Sequence, residues 1–365
     1  MQSGSAAAVI VEVYDSPDGL PADCEALFAR GGSVFTTRPW WQAVTAAALP
    51  AGGHPQYIVI RIDGRAVGLF PMLLHAGLNA FTTPYTCLYT PLIPRAEDVW
   101  LVCQAFGRYC TAAAITRLDA IPEEWPFLPE AIDGFRAAGL SWTDYLAGRP
   151  GALRETVRRR IRRASRLPDA EFRVISHPTD LESGIVDFER IYATSWKEPE
   201  PFPTFNATLM RTAAAEGILR LGLWSIGFQP VAVQFWIMEA GHATVLKLAH
   251  DEAFRSHSPG TVLTAYMIQH MLDVERAESI DFGRGDDPYK QDWARRRRRR
   301  VGLLLIVPWR PKGAWALVRH AMGRLRARLK QRFSRVPAGA GRDEQEDNPL
   351  PSRPWERKSL PPRGP

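Results

Sequence analysis

ILRLGLWSIGFQPVAVQFWIMEAGHATVLKLAH, residues 218–250, holds three strand-like runs split by two short breaks. Apolar and β-branched runs cover 218–226, 231–239 and 242–249. Gly227-Phe228-Gln229-Pro230 separates the first two runs, and Ala240-Gly241 separates the second from the third. Strand-like runs split by glycine-bearing breaks this short fold back on one another as hairpins. The spacing predicts three antiparallel strands joined by tight turns.

Working outward, 208–216 reads as a helix closed by Gly217, and 179–195 as another. Thr179 is the expected cap of that second helix, with Glu182 three residues on. Before it lie a strand at 171–175 and an Arg-rich helix at 154–167, ended by Pro168. After the meander, a polar loop at 251–258 leads through Pro259-Gly260 into a helix at about 261–276. Strands are predicted at 279–282 and 301–307. The first half holds a smaller version of this order. A helix at 39–48 precedes a strand–turn–strand unit at 56–74 built on Asp63-Gly64, a strong hairpin signal. Then come a loop with a short strand at 82–94, a helix at 97–111, a strand at 114–118 and a helix at 126–138. Gly148-Arg149-Pro150-Gly151 is a natural break between the halves. The two orders suggest a loose structural duplication without a clear sequence repeat. Domain boundaries are expected at 1–150 and 151–310, followed by a basic amphipathic helix at 311–336 and a disordered, Pro-rich tail at 337–365.

With 365 residues, 45% of them hydrophobic, the chain is long enough for two ordinary domains. No run approaches the ~20 apolar residues of a spanning helix, and no basic region precedes an apolar core at the start, so no secretory signal is expected. The four cysteines, Cys24, Cys87, Cys103 and Cys110, form no CxxC pair and match no zinc-finger spacing, so free thiols in a reducing, cytoplasmic setting are expected and no metal. The formal net charge is +7. Its excess is concentrated in seven Arg within 154–166, six consecutive Arg at 295–300, and the Arg- and Leu-rich 323–335. Such clusters bind nucleic acid, anionic lipid or phosphate-bearing small molecules, or form a solvated face.

Two segments can carry chemistry. Arg255-Ser256-His257-Ser258-Pro259-Gly260-Thr261 joins a strand to a helix start, where free N–H groups and the helix dipole favour an anion. It reads either as a pyrophosphate cradle or as an ordinary Ser-Pro helix start. Asp281-Phe282-Gly283-Arg284-Gly285-Asp286-Asp287-Pro288-Tyr289-Lys290, with Trp293 beyond, ends a strand in clustered carboxylates and cations. Asp286 or Asp287 could take a proton from an amine, and Lys290 could stabilise an oxyanion or hold a phosphate. An ion-pair corner reads equally well. Lys247 faces either a cleft or solvent, and Trp196 either lines an acceptor pocket or packs between layers. No Walker loop, GxGxxG, HExxH or GxSxG is present.

These segments resemble the GNAT-superfamily acetyltransferases of the CelD type, tied to cellulose and exopolysaccharide biosynthesis, which are relatives of the Fem-type peptidyltransferases. The resemblance spans about 35–308. In the first half it rests on Phe35-Thr36-Thr37-Arg38-Pro39-Trp40-Trp41 and on Ile62-Asp63-Gly64-Arg65-Ala66-Val67-Gly68-Leu69-Phe70-Pro71-Met72. In the second it rests on the basic helix at 158–166, Leu246-Lys247-Leu248-Ala249-His250-Asp251, Ser258-Pro259-Gly260 and the Asp281-to-Trp293 string. It implies an α/β (α+β) fold of two tandem GNAT-like lobes, the first degenerate, each a mixed, mainly antiparallel sheet flanked by helices. It implies acyl transfer from acyl-CoA (acetyl-CoA) to a small-molecule amine. Arg255, Ser258, Pro259, Gly260 and Thr261 would hold the donor, and Trp196, Lys247, Arg284 and Trp293 the acceptor. Asp286, Tyr289 and Lys290 would be catalytic, Lys290 standing in a Tyr-Lys-x-x-Trp string like the aromatic-Lys motif of Fem-type enzymes. Those enzymes use aminoacyl-tRNA, so a tRNA-dependent transferase is the alternative; nucleic acid is otherwise not an expected partner. The inserted helical arm of many Fem-type enzymes is not evident, which favours acyl-CoA. A third reading is a non-catalytic assembly protein of an exopolysaccharide system, peripheral at the inner membrane through 313–336.

Overall fold

Asp63 and Gly64 both take positive φ, 50° and 80°. That is the two-residue turn whose twist matches its flanking strands. The computed structural model describes residues 7–28, 33–121, 129–137, 139–284, 288–294 and 296–333, and in it this turn joins β2 (His54–Ile62) to β3 (Arg65–Leu74) in antiparallel register. Around the hairpin lie β1 (Val9–Tyr14), α1 (Arg38–Ala47), β4 (Leu78–Ala80), α2 (Val99–Cys110), β5 (Ile115–Ile121) and β6 (Pro129–Arg136). Thr37 caps α1 by accepting the Trp40 amide, and Pro39 occupies the first turn, where a missing N–H costs nothing.

The second half runs α3 (Trp142–Ala147), α4 (Gly151–Ala164), β7 (Glu171–Ile175), α5 (Leu181–Ala193), α6 (Phe205–Ala215), β8 (Leu219–Ile226), β9 (Gln229–Glu239) and β10 (His242–His250). Then follow α7 (Pro259–Gln269), β11 (Ser279–Arg284), α8 (Pro288–Trp293), β12 (Arg296–Ile306) and α9 (Pro311–Phe333). The meander at 218–250 is present as expected, with β8, β9 and β10 paired antiparallel. The cap expected at Thr179 is displaced. His177 instead accepts the Thr179 amide and starts a short 3-10 turn ahead of α5.

The expected duplication shows in the strand order β1-β2-β3-β4-β5-β12-β6-β11-β10-β9-β8-β7. Each half lays down four antiparallel strands, then a helix (α2 or α7), then a fifth strand parallel to the fourth. The sixth strands are exchanged. β12 pairs with β5, β6 pairs with β11, and β12 and β6 pair with each other. The two mainly antiparallel half-sheets therefore join into one sheet, and the edge amides each half would otherwise expose are satisfied. The exchange explains a misreading. The helix expected over 126–138 is, in its described part, strand β6, bonded on both sides. A short apolar segment has too little periodicity to separate helix from central strand, and two waiting partners decide it.

Both faces of the meander are covered. Val231 to Ile237 are buried without alternation, as in a strand with layers on each side. On one face α1 and α6 pack across the halves, with Trp40 edge-on to Phe205 at 5.7 Å. On the other, α7 lies so close to β8 that a Cβ at Gly222 would strike the Met267 sulfur. Buried Gln234 donates to Thr264 Oγ1 at 2.7 Å and accepts from Trp236 Nε1 at 2.9 Å, tying β9 to α7 without an orphaned polar atom on that amide. α7, and with it the β10–α7 turn, is held in a fixed position over the sheet. The four cysteines are free thiols. The tail at 337–365 lies outside the described residues.

Candidate active site

β10 and β11 are paired only where His242, Ala243 and Thr244 meet Ser279, Ile280 and Asp281. Beyond Thr244 the two strands part. β10 carries a bulge between Val245 and Lys247, which leaves Leu246 without a β9 partner and re-aims the residues after it. β11 turns at Gly283, whose φ is +74° and whose amide donates to Asp281 Oδ1 at 2.7 Å. A Cβ at position 283 would stand 3.1 Å from Cys87 Sγ, so the turn needs glycine for both conformation and space. The parting opens a cavity of about 210 Å³. Val245, Lys247, Phe282, Gly283 and Lys290 line it from the second half, and Tyr85 and Cys87 from the first.

Lys247 is held at this cavity by an acid and two aromatic rings. Its Nζ sits 2.5 Å from Glu200 Oε1, and the two side chains are 22% and 11% exposed, so this is a largely desolvated pair. The ammonium also lies 4.6 Å above the Tyr85 ring and 5.8 Å from the Tyr192 ring. The Tyr85 and Tyr192 hydroxyls lie near Glu200 and favour its charged form, while Tyr85 Oη donates to the Phe202 carbonyl at 3.4 Å. Burial pushes the Glu200 carboxyl up, but the Lys247 charge and these hydroxyls outweigh burial and hold it below the usual glutamate range. Burial and the Glu200 carboxylate push both tyrosine hydroxyls up, so they remain donors. A carboxylate engaged this way is a poor proton acceptor. Its effect is to fix one lysine at the cavity wall.

Lys290 is buried, 4% exposed, and reaches the same cavity from α8. The short α8 is anchored from behind. The Trp293 carbonyl accepts from Tyr145 Oη at 2.7 Å and from Arg149 Nη1 at 2.9 Å. The Arg149 guanidinium in turn stacks on Tyr145 at 4.8 Å. The sequence break at Gly148-Arg149 thus contains a buried tether for the lysine-bearing helix.

At the end of β10, Ser258 adopts a left-handed conformation (φ 55°) and makes no side-chain cap for α7. Pro259 fills the first position, so the amides of Gly260 and Thr261 begin the free first turn. Arg255 is exposed in the preceding 3-10 turn, and Arg160 of α4 comes within 3.4 Å of Thr261 Oγ1. An uncapped helix start flanked by two guanidinium groups fits a phosphate-bearing ligand. Gly260 has a second use: a Cβ there would come within 3.2 Å of His250 Nδ1.

Of the expected site residues, the structure brings Lys247, Tyr289 and Lys290 to one cavity. Trp196 stands outside it, half exposed, its ring tilted against His250 with centroids 4.5 Å apart. Trp293 is buried in the second-half core, with its backbone carbonyl as the anchor point. Asp286 and Asp287 lie outside the described residues, as does the Arg284 side chain. Sequence reasoning missed Glu200, Tyr85, Tyr192, Arg149 and Arg160. Glu200 lies between Pro199 and Pro201 in a segment without periodicity, and that proline-flanked acid was the one local signal of a fixed carboxylate.

Residues 151–291 match the family described as Acetyltransferase (GNAT) domain, a span from α4 through Gln291 that includes the meander, the β10–α7 turn, Lys247 and Lys290. FemX has the same fold, with a TM-score of 0.56 and 9% identity over 81% of this chain and 97% of that one. L-PGS from Bacillus licheniformis is similar, with a TM-score of 0.55 and 14% identity over 81% and 93%. A conserved protein of unknown function from Bacteroides thetaiotaomicron VPI-5482 gives 0.50 and 12% over 81% and 100%. At these identities the likeness is one of fold. No curated protein sequence matches the chain. Residues 151–291 are thus similar to the GNAT acetyltransferase domain, and the chain shares its fold with FemX and L-PGS.

Proposed function

We propose that the protein is an N-acyltransferase that moves an acyl group from acyl-CoA to an amine of a cell-envelope or exopolysaccharide-related small molecule. The observation that carries this reading is the cavity where β10 and β11 part, walled by Lys247 and Lys290 inside the GNAT-matched span. The donor's phosphates rest at the first turn of α7, near Arg160 and Arg255, and its thioester reaches between the strands. The reaction forms a C–N bond and breaks a C–S bond; the amine loses a proton and the departing thiolate gains one. Lys247, pinned by Glu200, and Lys290 offset the negative charge that develops on the carbonyl oxygen. Asp286 takes the amine proton, and Tyr289, which lines the cavity and is 42% exposed, gives a proton to the thiolate. Fixed cations need no reorganisation when the charge appears, and removing one such group lowers turnover ~100-fold or more. The acceptor class comes from the CelD-type resemblance. Lys290→Ala is the direct test. Turnover with an acyl-CoA should collapse while the far-UV spectrum holds, and full activity removes the role given to Lys290.

A second reading, transfer from an aminoacyl-tRNA, is favoured by one observation. Arg158, Arg159, Arg162 and Arg163 of α4 are exposed along the helix whose Arg160 reaches the α7 start. Activity that RNase abolishes would select this reading over acyl-CoA.

A further inference from the structure

Among the described side chains of α9, up to residue 326, contact with the body is concentrated at the helix start. Gly313 is buried, packed so tightly that a Cβ would collide with the Val307 carbonyl. From 314 to 326 every residue is exposed except half-buried Ala316. Trp315, Val318, Met322 and Leu325 recur at intervals of three and four, the spacing of one helical stripe. They are 63%, 50%, 42% and 58% exposed, a level that excludes a role as core. Met322 follows Gly313 by nine residues, about two and a half turns at 3.6 residues per turn, so the stripe points away from the body. Exposed Trp309 stands just ahead of the helix.

Charge selects what meets this stripe. The 23 residues of α9 hold seven Lys and Arg and no Asp or Glu. Lys312, Arg319 and Arg326, seven residues apart, run along one flank of the stripe, all exposed. A second copy of such a helix would be repelled, and an ordinary acidic protein groove would leave the tryptophan and leucine stripe without an apolar plane. An anionic bilayer surface supplies both a layer for the stripe and phosphates for the flanking cations. Among the described residues no helix is long and apolar enough to cross a membrane. We infer that α9 is an interfacial anchor that lays its Trp315–Leu325 stripe into the headgroup region of an anionic membrane. The inference does not depend on what the β10–β11 cavity does.

The test is co-sedimentation of the full chain with sucrose-loaded vesicles of phosphatidylcholine, alone or mixed with phosphatidylglycerol. Partitioning should be ~10-fold or more stronger on the mixed vesicles, since each cation near an anionic surface contributes about fivefold. It should weaken when salt is raised from about 0.1 M to about 1 M. Trp315→Ser with Leu325→Ser, and separately Arg319→Gln with Arg326→Gln, should each cut binding at least fivefold while leaving the urea melt unchanged, because these side chains touch solvent. Equal binding to both vesicle types, or variants that bind like the parent, overturns the inference. So does a helix-dependent dimer in sedimentation velocity, or retention by RNA with no vesicle binding.

Discussion

Replacing Lys247 with Met probes the packing and electrostatics of the cavity together. The pair it breaks has a 2.5 Å contact and side chains 22% and 11% exposed, which separates it from exposed ion pairs worth ~0–1 kcal/mol. Removing one partner of a buried pair typically costs ~3–5 kcal/mol, because the other charge stays behind without compensation. Here the nearby Tyr85 and Tyr192 hydroxyls still favour the Glu200 charge, so the loss should fall nearer ~2–3 kcal/mol, the upper range for a charge-assisted hydrogen bond. Glu200→Gln keeps the shape and should cost less, about 1–2 kcal/mol. Urea unfolding at about pH 7 of the parent, both single variants and the double variant gives the coupling, expected at about 1.5–3 kcal/mol with unchanged m-values. The sign with pH follows from the lowered Glu200 value. An unfolded glutamate titrates near about 4.3, so the contribution is complete above that pH and lost as pH falls through the lower folded value. A coupling under about 0.5 kcal/mol, or one that fades between pH ~8 and ~6, would refute the buried pair.

Arg149→Ala should cost ~1.5–3 kcal/mol in urea melts through the lost bond to the Trp293 carbonyl, and should lower turnover by loosening α8. Hydrogen exchange should quicken at 288–294, whereas a purely structural arginine would leave those amides unchanged. Gly283→Ala should cost at least ~1–2 kcal/mol from the positive φ alone, and Cys87→Ala should recover only the part due to the 3.1 Å contact. An unchanged melt for Gly283→Ala would mean that β11 does not turn there.

What was legible in the sequence is what local chemistry controls. Asp63-Gly64 and Ala240-Gly241 are turn signals whose backbone demands leave few alternatives, and both hairpins are present with the expected partners. The basic helix α4 was legible from periodicity within one segment, and the duplication from the similar order of elements in the two halves. The exchange of β6 and β12 was not legible, because pairing between strands more than a hundred residues apart leaves no local trace. β1 was missed although VIVEVY is rich in β-branched residues; it is an edge strand paired with β2 alone, and all six residues are exposed or half-buried. At the site, the motif from Asp281 to Lys290 marks the end of β11 that borders the cavity, but the reading of Lys247 depended on strict strand alternation. The bulge at Leu246 breaks that alternation. Glu200 reaches Lys247 across 47 residues of chain, and no spacing rule connects them.

The central claim is that an acyl donor lies where β10 and β11 part, with its phosphates at the α7 start. Hydrogen–deuterium exchange of the full chain with and without acetyl-CoA locates the donor directly. The amides of Val245 to Leu248 and of Gly260 and Thr261 should slow together on addition of acetyl-CoA, with Lys247→Met reducing the effect. If acetyl-CoA protects neither segment, or protects only surfaces away from this cavity, the account is contradicted.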